Sequence, residues 1–212
     1  MAKLTPKIIL EGTRLTFKTE TAFALHEHPR FTGERKYRYH HPVVSGEWCG
    51  FTPTPWGRGL INFSAEEEQR ALETYETWTR LWELLPHYCW IVDRFHLSTM
   101  MHQRLHEGRD YSFQWLEDRL KPLGFHIALL VRDSESFEEA RQRRLEVSGN
   151  PDQYTDLERF RREQKHLLDL AAISILPLKV FDISDNNVGR VSDEIADWMA
   201  STGGLYPPGE NW

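Results

Sequence analysis

Lys7-Ile-Ile-Leu-Glu-Gly-Thr-Arg-Leu-Thr-Phe-Lys-Thr19 starts as a strand and ends as a phosphate-binding loop with one residue out of place. The apolar run Ile8-Ile9-Leu10 has the form of a strand buried on both faces. Gly12, Thr13, Arg14, Leu15, Thr16, Phe17, Lys18 and Thr19 follow the pattern G-x-x-x-x-G-K-[ST], except that Phe17 stands where the second glycine belongs. Such a loop wraps ahead of a helix N-terminus and turns backbone N–H groups toward a phosphate, and the helix dipole adds to them. Lys18 would bridge the β- and γ-phosphates of ATP, and the Thr19 hydroxyl would hold Mg²⁺. Glycine at position 17 would let the backbone approach phosphate closely, so the Phe17 ring has to be housed elsewhere. Lys-Thr in an arbitrary helix is the competing reading. The buried strand before the loop and the helix after it favour nucleotide binding.

Working outward, residues 19–28 read as a helix that packs Ala22, Phe23 and Leu25 and stops at Pro29. Residues 30–63 lack clean periodicity, with a second strand expected at Tyr37–His41 and an ordered loop at Trp48–Asn62. Ser64-Ala-Glu-Glu67 is a capping box that opens a helix running to about Leu85, before Pro86. Tyr88–Val92, His126–Val131 and Leu178–Phe181 are further apolar strands. Helices are expected at Ser98–His106, Phe113–Leu120, Ser136–Val147, Asp156–Ala172 and Val188–Ala200. Short strands alternating with longer helices predict an α/β fold, a doubly wound and mostly parallel sheet. The division expected is one domain over 1–202, with an Arg-rich lid at about 136–160 hinged at Gly149-Asn-Pro151, and a tail at 203–212.

Composition narrows the function classes. A net charge of −6 over 212 residues argues against a large nucleic-acid footprint, although arginines between Arg132 and Arg162 leave room for a local basic groove. No apolar run is long enough to span a membrane. The N-terminus has no signal-peptide pattern. Cys49 and Cys89 are too few for a disulfide framework or a four-cysteine zinc site, which points to a reducing, cytoplasmic setting. His102 and His106 have a spacing that can chelate zinc, but no glutamate adjoins His102 as the metalloprotease motif requires. Tyr75, Trp78 and Trp82 lie at helical spacing, a stripe that suits packing better than stacking on a ligand.

The strand at Tyr88–Val92 runs into Asp93-Arg94-Phe-His-Leu-Ser98-Thr99-Met-Met-His-Gln103. A carboxylate at a strand end beside a phosphate loop can hold Mg²⁺ through water or take a proton, and an adjacent arginine can clamp a phosphate. A salt-bridged pair closing the strand is the plainer alternative. The spacing resembles the Asp-Arg-x-x-x-Ser-Thr-x-Ala-Tyr-Gln segment of thymidylate kinases. Glu139-Ala-Arg141-Gln-Arg143 is similar to the start of that family's lid, Phe160 through Ala171 to its following helix, and Phe181-Asp-Ile-Ser184 to the end of its last strand.

The resemblance implies a P-loop three-layer α/β/α sandwich with about five strands and a mobile lid. It implies that Lys18 and Thr19 bind ATP and Mg²⁺, and that Arg94 contacts the acceptor's phosphate. Ser98 and Gln103 would line the acceptor pocket, Arg141 and Arg143 would close over the donor, and the chain would form a homodimer. Three departures remodel the acceptor side. Arg14 replaces the family's acidic loop residue, Met101-His102 replaces its alanine-tyrosine pair, and Glu67 follows Phe63 where the family has arginine. Arg14 then calls for a more anionic acceptor or a partner carboxylate such as Glu11. The expected activity is ATP-dependent transfer of the γ-phosphoryl group to a nucleotide, nucleoside or related small metabolite. The alternatives are nucleotide binding without turnover, and a kinase acting on a modified base in a polynucleotide.

Overall fold

Every residue of strand β1 (Lys7–Glu11) is buried, because the strand lies between two others and beneath helices on both faces. The computed structural model describes residues 6–32, 42–54 and 56–205. With β2 (Val43–Ser45), β3 (Trp90–Asp93), β4 (Phe125–Val131) and β5 (Leu178–Asp182), β1 forms a five-stranded sheet of order β2-β3-β1-β4-β5. Every pairing in it is parallel. The second strand expected at Tyr37–His41 lies outside the described residues; the strand seen there in chain order is Val43–Ser45.

Residues of period two divide the core. Ile8, Leu10, Ile91, Ala128, Leu130 and Phe181 face α1 (Lys18–Glu27), α2 (Pro29–Thr32) and α8 (Val188–Ser201), meeting Ala22, Leu25, Phe31, Val191 and Ile195. Ile9, Val92, Ile127 and Leu129 face the opposite layer of α3 (Glu68–Leu84), α4 (His96–His106), α5 (Gln114–Leu120) and α7 (Leu157–Ala171). The aromatic stripe of α3 belongs to that core: Tyr75 and Trp82 are buried, and Trp78 stacks on Phe95 at 5.8 Å. Phe23 departs from expectation, since Ala22 and Leu25 take the inward face of α1 and leave its ring exposed. Glu67 reaches back to the Ser64 N–H at 3.0 Å, as a capping box requires. Among the described residues no helix is long and apolar enough to cross a membrane.

A third, smaller cluster lies over the end of β1. Leu15 of the phosphate loop packs there with Phe137 and Ala140 of α6 (Ser136–Leu145), Tyr154 of a 3₁₀ turn (Pro151–Tyr154) and Phe160 of α7. The chain leaves β1 for the β2 edge, returns to β3, then crosses to β4. This reversal opens a crevice at the carboxyl ends of the central strands, where ligands of such sheets bind.

Candidate active site

The loop after β1 turns through Gly12, Leu15 and Phe17 at φ 152°, 69° and 50°. A Cβ at Gly12 would lie 2.6 Å from Thr16 Oγ1 and 2.7 Å from the Leu130 carbonyl oxygen, so only glycine fits there. Leu15 and Phe17 hold left-handed conformations that disfavour side chains by roughly 1–2 kcal/mol each. The Phe17 ring finds its housing beside α6. It packs on the third cluster, with the guanidinium carbons of Arg132 and Arg144 5.3 and 5.4 Å from its centroid.

Lys18 is buried inside this loop and donates to the Thr13 carbonyl at 2.6 Å. Burial, reinforced by Arg94, brings its ammonium down to about 8, against the pull of Glu47 and Asp93. Thr19 Oγ1 donates to Asp93 Oδ2 at 2.6 Å. Asp93 Oδ1 is buried with no hydrogen-bond partner among the described residues, and burial raises the carboxyl's pKa. An orphaned carboxylate oxygen beside a threonine hydroxyl is a pair of oxygen ligands that fits a hydrated divalent cation.

Glu47, absent from the residues singled out in the sequence, joins the site from the end of β2. The Gly46 N–H donates to the carbonyls of Asp93 at 3.0 Å and Arg94 at 3.2 Å, and a Cβ at Gly46 would collide with the latter. That contact delivers Glu47 between two guanidinium groups: Arg14 Nη1 lies 3.1 Å from Oε1, and Arg94 Nη1 3.3 Å from Oε2. Burial alone would raise the Glu47 carboxyl, but Arg94, Arg14 and Lys18 outweigh it and bring it down to about 2.

The carboxylate beside Arg14 is therefore Glu47, and Arg14 also donates to Gln153 Oε1 at 2.6 Å. Glu11 turns the other way. Its Oε1 accepts the N–H groups of Phe95, Leu97 and Ser98, satisfying the open N-terminus of α4, and its Oε2 accepts the Ser98 hydroxyl at 2.5 Å. Ser98 Oγ in turn accepts from Arg94 Nε at 3.0 Å, so Glu11, Ser98, Arg94, Glu47 and Arg14 form one chain of contacts.

Gln103 is buried one turn beyond Thr99, its Nε2 donating to the carbonyls of Ile61 and Phe63. The ring of its neighbour His102 lies 4.8 Å from that of His106, tilted by 45°, and burial, aided by His106 and Arg94, pushes His102 down to about 3. His106 lies 2.9 Å from Glu163, which also accepts from Arg159. Arg141 and Arg143 pair with Glu138 and Glu139 of their own helix at 2.6 and 3.0 Å. From the same helix, Arg144 lies over the Phe17 ring and pairs with Glu20 of α1.

The chain superposes on the YorR protein of Bacillus subtilis, solved in complex with phosphorylated GDP, with a TM-score of 0.59 and 18% identity over 92% of this chain and 94% of that one. It superposes on the thymidylate kinase of Candida albicans with a TM-score of 0.58 and 15% identity over 98% and 97%. This is the P-loop kinase fold. The likeness read from the sequence thus holds at the level of the fold, and the parallel five-stranded P-loop sheet is as expected. No protein-family model matches the sequence, and no curated protein matches it.

Proposed function

We propose that this P-loop protein is a phosphotransferase that moves the γ-phosphoryl group of ATP to a nucleotide, nucleoside or related small metabolite. The observation that carries the reading is the Thr19–Asp93 contact with Asp93 Oδ1 left open beside Lys18, where the loop from Gly12 enters α1. Thr19 and Asp93 would hold Mg²⁺, which would offset the charge of the donor's phosphates. Lys18 leaves the Thr13 carbonyl for the same phosphates. Arg94, fixed by Ser98 and Glu47, faces the charge that builds as the bond to ADP lengthens. Catalysis on this reading is positioning and electrostatics. An acceptor phosphate needs no base. An acceptor hydroxyl would give its proton to Asp93, whose raised pKa suits the task.

The phosphorylated GDP bound by YorR and the likeness to a thymidylate kinase make nucleotides the first acceptors to try. Nucleotide binding without turnover is the second reading, and the left-handed Phe17 inside the loop is the observation that favours it. Calorimetric titration with Mg·ATP and Mg·GTP, beside Lys18→Ala, tests both. Loss of one or two charge-assisted contacts, about 1.5–3 kcal/mol each, should weaken binding roughly a hundredfold in the variant. ADP release in the presence of a nucleotide panel then separates transfer from binding alone. No heat from either triphosphate would end both readings.

A further inference from the structure

We infer that the phosphate loop carries its own lid anchor, and that Phe17 and Leu15 hold the lid docked over the donor site before any nucleotide arrives. The inference rests on reading residues 12–19 as the donor loop and adds how access to it is regulated. Three separate contacts join the loop to the stretch from Arg132 to Phe160, which holds α6 and the 3₁₀ turn. The Phe17 ring meets the guanidinium groups of Arg132 and Arg144, while Leu15 is buried among Phe137, Ala140, Tyr154 and Phe160. Arg14 reaches Gln153 at 2.6 Å. Across the crevice, ring carbons of Trp56 lie 3.5 and 3.6 Å from where a Cβ of Gly149 would be, so the loop after β2 also braces the hinge.

The backbone makes the arrangement telling. Positions 15 and 17 have positive φ, where glycine would be favoured, yet both carry large apolar side chains. The strain is retained while the rings and methyls cover the lid, and cation–π contacts with two arginines add to the apolar burial. A glycine at either position would relax the loop and release the lid. The lid therefore opens by parting from the loop that binds phosphate, so admission of nucleotide and lifting of the lid are one event. Arg144 is a positioning residue in this scheme. It ties α6 to Glu20 and to the face of Phe17.

Amide hydrogen exchange of the nucleotide-free chain tests this without requiring any activity. Phe17→Gly should raise exchange across 136–154 by on the order of tenfold while β1 and β4 stay protected. Arg144→Gln, which keeps the ring and the loop, should raise it about two- to threefold in α6 alone. Unchanged exchange of 136–154 in Phe17→Gly overturns the inference. Should that variant loosen the whole sheet, Arg144→Gln decides, and unchanged α6 exchange overturns it. Exchange that rises as expected in a chain that fails to bind Mg·ATP would leave the lid anchor standing and remove the phosphotransferase reading.

Discussion

One side of the crevice is made by eight consecutive residues, Gly12–Thr19, with the Asp93 carboxylate set against them, whereas the wall around Arg94 joins the end of β2 to α4. From Gly12 to Thr19 the geometry is local: one helix N-terminus, one lysine folded onto the loop, and one carboxylate across the neighbouring strand end. The wall joins Glu47, just after β2, to Ser98 and Gln103 of α4, and most of their polar groups are engaged with the protein's own backbone and charges. Beside the loop, Asp93 Oδ1 is left without a partner among the described residues. The wall is closed largely on itself. A change on the donor side should therefore register in binding, and a change in the wall in stability.

Glu47→Ala is the largest test of that difference. It leaves Arg94, only 5% exposed, without its counter-charge. Breaking a buried pair from one side costs roughly 3–5 kcal/mol, which urea unfolding would read directly. The same carboxylate fixes an acid limb. Its folded pKa of about 2 lies below the usual 4.5, so its stabilisation is complete above pH 4.5 and lost as pH falls toward 2. The variant should lose that limb. Unchanged stability in Glu47→Ala would mean that Arg94 finds water or another partner, and that the wall is not closed.

Lys18 gives the donor-side counterpart. Its folded pKa of about 8 lies below the usual 10.5, so the penalty for burying its charge is complete below pH 8 and relieved as pH rises from 8 to 10.5. Phosphate affinity should move in the opposite direction, weakening above pH 8 by up to about tenfold per pH unit. Titrations with Mg·ATP between pH 7 and 9 would show it, and Lys18→Ala should be flat. A native profile that is also flat would place the phosphate contact on the backbone alone.

How far the sequence could be read follows the same division. Gly12–Thr19 and Asp93-Arg94 were legible because each is a short stretch at the end of an apolar run, where strand, motif and chemistry coincide. Glu47 was not, because residues 30–63 have no periodicity and its position depends on Gly46 fitting under the Arg94 carbonyl. A signal did exist. Val43-Val44-Ser45-Gly46-Glu47 is a β-branched run followed by a carboxylate, the same arrangement as at Asp93. The fate of the Phe17 ring was out of reach, since its neighbours Arg132 and Arg144 are more than a hundred residues away in the chain. Arg141 and Arg143 were chosen by family spacing, and their pairing with Glu138 and Glu139 is an ordinary i,i+3 and i,i+4 surface pattern.

Gln103 offers the smallest effect and the sharpest cut between the two sides. By resemblance it lines the acceptor pocket; in the structure its Nε2 ties Ile61 and Phe63 to α4 while Oε1 is buried with no partner among the described residues. Gln103→Leu would leave two carbonyls without that donor, but it would also remove an unsatisfied oxygen. The two effects oppose, so the net loss should be about 1 kcal/mol, less than for Glu47→Ala. If Gln103 serves only as a tie, the acceptor KM should shift no more than this loosening of residues 60–63 implies, and kcat should stay put. A large rise in acceptor KM at unchanged stability would instead mean that Oε1 is kept open for a ligand, as Asp93 Oδ1 is on the donor side. The wall would then be open at one point, and that point would be where the acceptor is read.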